Sequence, residues 1–372
     1  MKGKGKYTSI ALLCVLIITG CGTEETADTY IAGTDYPWQY YSRDFYGIPT
    51  VEGNGSVYFK NGHYIYQLDE ETDILTPLCN KTNCLHTQET DDSRRGECNA
   101  YIPEEDASIT YMDGYIYSVV DDWSGDEPCD VLYKLAEDGS TKETIYQWEG
   151  QSVEGWCMHR DVLYYVEHTF DADNQEHYAV KAMKLSGMGR LQSKTIFEPE
   201  EGLTVYGFGM PEAYGNHLYI NLNGVLTDEI EDFTDEEWIR YSYNKTFQYN
   251  LQDKSMTEIR IPDQSESQQV SDVTFWQDKI IYTAMDITKN HEYDFTLNID
   301  IYDRDMNLVD TVQAPFHSSP YEPSYGSGDR MYVQVSEESG DTFAIEYWDK
   351  TKIGTYQGEE YQLTRICEQP IK

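Results

Sequence analysis

An aliphatic residue followed by tyrosine returns six times along the chain, as Val57-Tyr58, Ile116-Tyr117, Leu163-Tyr164, Leu218-Tyr219, Ile281-Tyr282 and Met331-Tyr332. Each pair follows a turn signal by a few residues: Asn54-Gly55, Asp113-Gly114, Arg160-Asp161, Gly215-Asn216, Gln277-Asp278 and Gly328-Asp329. Short aromatic and β-branched stretches between polar turns read as strands. A second strand follows each pair, at 64–68, 131–135, 178–185, 247–251, 297–302 and 343–348. A third follows an acidic or polar turn, at 74–78, 144–148, 195–197, 257–261, 308–312 and 361–367. A shorter strand precedes the tyrosine strand, as at 153–158, 205–208 and 273–276. Four strands per unit, in units of roughly fifty-five residues, predict an all-β six-bladed β-propeller. Seven blades are the alternative, if residues 34–46 open a further one; their preferred place is the first strand of blade one. One helix is expected: Thr234 and Glu237 form a capping box that starts a short helix over 235–243, inserted in blade four.

The first twenty residues do not fit the repeat. Lys2, Lys4 and Lys6 precede an apolar run at 10–18. Nine residues rise about 14 Å as a helix, against a hydrocarbon core of about 30 Å. The segment therefore reads as an export signal over 1–20. It ends in Ile18-Thr19-Gly20-Cys21, which resembles the lipobox of bacterial lipoproteins. The expectation is a lipidated Cys21, a polar tether over 21–30 and a propeller over 31–372, at the extracytoplasmic face of the cell membrane. An ordinary secreted protein with a Cys at that place is the alternative.

Charge narrows the partners. The chain has 27 basic and 67 acidic residues, a formal net charge of −40. No basic patch stands out to neutralise phosphates, so nucleic acid is excluded as a partner, and an anionic polymer is disfavoured.

Candidate chemistry lies in two places on the predicted scaffold. Blade strands alternate in direction, so loops between the tyrosine strand and the next share a face with the loops entering each blade. That set is long, at 121–130, 168–177, 223–245, 286–295 and 336–341, whereas the opposite turns, such as 112–114 and 137–140, are tight. The long loops carry Trp123, Asp126, Phe170, Asp171, Asp173 and Trp238. Aromatics with carboxylates on loops suit sugar or peptide recognition. Second, Glu154, Asp272 and Glu322 stand ten residues before a blade tyrosine, and Asp106 eleven before. On inner strands these four would ring one mouth of the axial channel, where their mutual repulsion favours a cation such as calcium. The plain alternative is a set of acids facing water.

An insertion at 79–98 separates blade one from blade two. It brings Cys79, Cys84, His86 and Cys98 within twenty residues. Three Cys and one His are a structural zinc combination, although the Cys-x-His step is unusual. A disulfide among the three Cys is favoured over zinc, because disulfides are the default outside the cytoplasm. Cys129 should start an outer strand and Cys157 lie deep on an inner one, so those two are badly placed for each other. No catalytic residue is assigned. On either reading the insertion pins a loop on the long-loop face.

The lipobox, the six units and the run Cys79, Cys84, His86, Cys98 and Ala100 together resemble a group of Gram-positive surface lipoproteins. These carry a TolB-like six-bladed propeller and a Cys-x4-Cys-x-His…Cys-x-Ala segment after the first blade. The stretch Asp349-Lys350-Thr351-Lys352-Ile353-Gly354-Thr355 is also similar to theirs. The resemblance implies fold and address, and leaves function open. The expected function is a non-enzymatic binding or scaffold propeller for a glycan, peptide or protein partner. The alternative is a propeller hydrolase or lyase that uses the carboxylate ring, with calcium as candidate cofactor, on a polysaccharide or a phosphorylated small molecule.

Overall fold

The chain forms a six-bladed β-propeller, described in a computed structural model for residues 49–69, 71–72, 74–105, 107–122, 129–171, 176–186, 191–199, 204–208, 211–225, 242–259, 268–276, 279–286, 297–313, 329–336 and 342–370. Blade one holds β1 (Thr50–Gly53), β2 (Ser56–Asn61), β3 (Tyr64–Asp69) and β4 (Ile74–Pro77). Blade two holds β5 (Thr110–Met112), β6 (Tyr115–Asp122), β7 (Cys129–Ala136) and β8 (Lys142–Trp148). Blade three holds β9 (Ser152–His159), β10 (Val162–Phe170), β11 (Glu176–Lys184) and β12 (Ser193–Phe197). Blade four has a divided inner strand, β13 (Thr204–Phe208) and β14 (Glu212–Tyr214), both paired with β15 (His217–Val225), then β16 (Ser242–Asn250) and β17 (Met256–Ile259). Blade five holds β18 (Gln268–Trp276), β19 (Lys279–Asp286), β20 (Leu297–Asp303) and β21 (Leu308–Gln313). The described part of blade six is β22 (Arg330–Ser336), β23 (Thr342–Asp349) and β24 (Leu363–Pro370). Every pairing between these strands is antiparallel, and β1, β5, β9, β14 and β18 neighbour one another in turn around the axis.

The repeated pair explains the architecture. Successive residues of a strand point to opposite faces. Ile116 therefore packs against blade one and Tyr117 against blade three. Leu163 faces blade two and Tyr164 blade four. Met331 faces blade five and Tyr332 blade one. Both residues of all six pairs are buried, and one apolar cluster fills each of the six gaps between blades.

Blade five departs from the rule by one residue. There Ile280 and Tyr282 face blade four, while Ile281 faces blade six. After the turn signal at 277–278 and Lys279 come three apolar positions in a row, Ile280, Ile281 and Tyr282, and Ile280-Ile281 take the two places held elsewhere by the aliphatic residue and tyrosine. A shift of one residue exchanges the faces of a strand.

The inner hairpin turns match their sequence signals. Asn54 and Gly55, Asp113 and Gly114, and Arg160 and Asp161 all have positive φ, the conformation that lets two residues join strongly twisted strands. Other boundaries differ from expectation. Blade one begins at β1, and residues 34–46 lie outside the described residues. So do 226–241, which hold most of the expected helix, and its last residues belong to β16. Among the described residues helix is confined to short turns, of which His86–Gln88 and Asp92–Arg95 lie in the insertion.

Gly139, in the β7–β8 turn, has φ +70°, and a Cβ there would stand 2.7 Å from the Cys79 amide nitrogen. Gly150 has φ +69° with nothing within 4 Å of its Cβ position. Gly150→Ala is expected to cost about 1 kcal/mol from backbone strain alone, and Gly139→Ala about 2–4 kcal/mol, because the Cys79 backbone must also retreat. Denaturant midpoints of the two variants measure the difference, and equal losses would show that the contact is not tight.

Candidate functional site

The chain leaves β4 at Pro77 and enters the insertion at once. The Cys84 amide donates to the Lys81 carbonyl at 3.2 Å, closing a turn, and the Cys98 amide donates to the Arg95 carbonyl at 3.0 Å, ending the second helical turn. His86 between them has φ +51°, and its carbonyl accepts from the Tyr64 hydroxyl at 3.0 Å. These turns bring Cys79, Cys84, His86 and Cys98 together, with one ligand atom from each lying within 4.8 Å of the others. Cys98 Sγ stands 3.6 Å from His86 Nδ1. Burial pushes the Cys98 thiol up to about 12, helped by its hydrogen bond with Cys84 and the charge of Cys79. Burial acts the same way on Cys79, but donors on Lys81, Asn99, Cys98 and Cys84 outweigh it and lower that thiol. The sequence favoured a disulfide among these cysteines; in the structure no bond joins the sulfurs of Cys79, Cys84 and Cys98.

The insertion packs between blades one and two, and its exit lies against the β2–β3 turn, where the Ile102 amide donates to the His63 carbonyl at 2.7 Å. Cys98, Ala100 and Ile102 are buried in the core shared by blades one and two. Asn80 N–H and Asn99 Nδ2 donate to the Gly139 carbonyl at 3.2 and 2.8 Å, in one of the tight turns assigned to the other face. Lys142 on β8 donates to the carbonyls of Gly96, Cys98 and Tyr101 at 3.2, 3.1 and 2.9 Å. A cavity of about 290 Å³ opens beside the cluster, bounded by Lys81, Leu85, Glu89, Arg94 and Arg95 among others.

A second constellation lies on blade three. Glu154 is the extra residue of a bulge between β9 and β10, where Val166 pairs with Gly155 and Glu167 with Val153. Its Oε1 lies 2.9 Å from Nδ1 of His168. The His168 ring stacks on Tyr178 of β11 at 4.4 Å and meets Phe170 at 4.8 Å. Its Nε2 is buried and makes no hydrogen bond among the described residues, and Glu176 Oε1 is 4.0 Å away. Burial raises the Tyr178 phenol, and the charges of Glu154 and Glu176 raise it further. Asp171 Oδ2 lies 3.1 Å from His177 Nε2 at the surface.

Of the residues singled out in the sequence, Glu154 and Phe170 thus both touch His168, and Asp171 lies on the same blade against His177. His168, Glu176 and His177 were not singled out, although two histidines bounding a long loop were the available signal. Asp272 does not take the place of Glu154 in its own blade. It pairs with Thr283, and the bulged residue there is Ser271, as the one-residue shift of blade five requires. Cys21, Asp106, Trp123, Asp126, Asp173, Trp238 and Glu322 lie outside the described residues. Among those described, the Cys3His set is the group of three or more ligand side chains within metal-binding reach, and Glu154 is engaged by His168, so the calcium ring gains no support.

A third group lies at the tight-turn end of the blades. Lys350, after β23, is 1% exposed. Burial pulls its ammonium down to about 7, against the opposing charges of Glu212, Asp329 and Glu52 from three blades. The lysine belongs to the 349–355 stretch of the resemblance, which gave no hint of its burial.

No family model matches the chain, and no curated protein matches it. Solved structures match through their fold. A prolyl endopeptidase superposes with a TM-score of 0.45 at 12% identity, over 88% of this chain and 51% of its own. For an oligogalacturonate lyase in complex with manganese the values are 0.42, 12%, 87% and 84%. For a puromycin hydrolase they are 0.46, 11%, 90% and 48%. The chain spans about half the length of the endopeptidase and the puromycin hydrolase. At such identities the likeness is one of fold, and no activity passes from them to this chain. They differ from one expectation: the matched propellers are enzymes, where a non-enzymatic binding or scaffold module was expected from the sequence.

Lys350 supplies a pH test. Its folded value of about 7 lies below the ordinary 10.5. Between those pH values the unfolded chain holds more protons at this site, so stability rises with pH across that window, and the cost of the buried charge is fully present below it. Lys350→Met is expected to flatten the rise between about pH 7 and 9 in urea midpoints. A slope equal to that of the unaltered chain would assign the effect elsewhere.

Proposed function

We propose that this chain is a catalytic propeller of the hydrolase or lyase class, acting on a neutral glycan at blade three and held at the outer face of a membrane through a lipidated Cys21. The observation that carries the catalytic part is the His168–Glu154 pair. A carboxylate at Nδ1 holds the proton on that nitrogen and fixes the ring, which leaves the Nε2 lone pair to accept a proton and return it. Stacking on Tyr178 holds the ring plane. Phe170, 57% exposed beside it, offers an apolar face of the kind that packs against a sugar ring. Glu154, Glu176 and Asp171 make the surroundings acidic, which repels phosphorylated and uronate substrates and favours a neutral one. The anchor rests on the leader and the Ile18-Thr19-Gly20-Cys21 run.

The test is turnover of a panel of neutral oligosaccharides, with polyuronates and peptides as comparison. His168→Asn is expected to lower kcat about 100-fold or more with an unchanged melting temperature, and Glu154→Gln to lower kcat and shift its pH profile. Turnover that survives His168→Asn, or none on any neutral glycan, would sink the reading. Cys21→Ala should release the protein from membranes, and a variant still retained there would remove the anchor.

A further inference from the structure

We propose that Cys79, Cys84, His86 and Cys98 bind one zinc ion, and that this ion clamps blade one to blade two. The inference is independent of the blade-three reading, since the two sites share no residue.

The donor set chooses the metal. Three sulfurs and one imidazole nitrogen are soft to borderline ligands, suited to zinc and unsuited to calcium or magnesium, which take oxygen. Tetrahedral zinc, with Zn–S about 2.3 Å and Zn–N about 2.0 Å, sets its ligand atoms about 3.5–3.8 Å apart. The observed 3.6 Å between Cys98 Sγ and His86 Nδ1 falls in that range, and the remaining atoms lie within 4.8 Å. Two sulfurs joined as a disulfide would leave the third sulfur and the imidazole gathered there without a partner. A central cation uses all four.

Four protein ligands fill a tetrahedral shell. No position remains for water or substrate, so the site is structural. Its placement says what it supports. Cys79 follows β4 of blade one directly, while Cys98 lies in the core between blades one and two. Lys142 of blade two caps three carbonyls of the same segment, and Gly139 of blade two receives two of its donors. The insertion itself has little regular structure, a three-residue 3-10 turn and a four-residue helix. Between its packed ends such a segment has little hydrogen-bonded structure to offset its ordering, and metal binding supplies free energy toward it. His86 shows the constraint locally. A non-glycine residue at φ +51° persists where its surroundings hold it, here by the Tyr64 hydroxyl on its carbonyl and the sulfurs at its ring.

The experiment is metal analysis with thiol titration on the full chain, purified in detergent without chelator. Stoichiometric zinc is expected, with Cys79, Cys84 and Cys98 shielded from a thiol reagent until a chelator is added. Cobalt exchanged into the unaltered chain should give the intense visible bands of a tetrahedral thiolate site. His86→Cys should keep zinc, and His86→Ala should weaken it at least 10-fold. A chain that takes up neither zinc nor cobalt overturns the proposal. So does a pair of thiols released by reductant and indifferent to chelator, which would make the insertion a disulfide clip. Retention of full zinc affinity in His86→Ala would remove the histidine from the site and overturn the four-ligand assignment.

Discussion

Every sheet in this molecule buries both of its faces against the neighbouring sheets, and the rest of the structure depends on that constraint. The aliphatic–tyrosine pair satisfies it with two consecutive residues, one aimed at each neighbour. Each buried aliphatic or aromatic side chain contributes roughly 1.5–3 kcal/mol, so the pairs stabilise six interfaces that no single blade could form. Tyrosine suits the second place because its ring fills the gap between blades while its hydroxyl can meet a polar atom, as the Tyr332 hydroxyl does in donating to Glu52. A closed ring of this kind also fixes where insertions can go. They must leave at strand ends or force their way between blades.

The Cys insertion takes the second course. Its residues Ala100 and Ile102 are fully buried between blades one and two, so it acts as an additional piece of core. The contact is close enough that Gly139 has no room for a side chain. A wedge with so little hydrogen-bonded structure needs a second source of order, and the gathered sulfurs and imidazole are where it would come from. The acidic composition outside the insertion bears on a different matter. It keeps the surface repelling anions and leaves the blade-three histidine among carboxylates, which shapes what could approach it.

Blade three shows how a bulge creates chemistry. An unpaired residue in a strand re-aims its side chain, and Glu154 uses that freedom to reach a histidine on the adjacent strand. In blade five the bulged residue is Ser271 instead. Sixfold repetition of the fold therefore does not imply repetition of its polar groups, and a functional reading has to be made blade by blade.

The sequence by itself determined the number of blades, the position of each tyrosine strand and the left-handed inner turns, because these follow from local alternation and from residue types that tolerate positive φ. It also brought forward the four candidate ligands of the insertion, since all lie within twenty residues of one another. What it could not supply was phase and distance. The ring of acids was inferred from equal spacing to the blade tyrosine, and in blade five that tyrosine stands one place further along its strand, so Asp272 falls in a different register. The convergence of Cys98 with His86, the burial of Lys350 among carboxylates of three blades and the pairing of Glu154 with His168 are contacts across strands, turns or blades. Only the tertiary structure decides them, because which face of a strand meets its neighbour depends on how all the blades pack around a common axis.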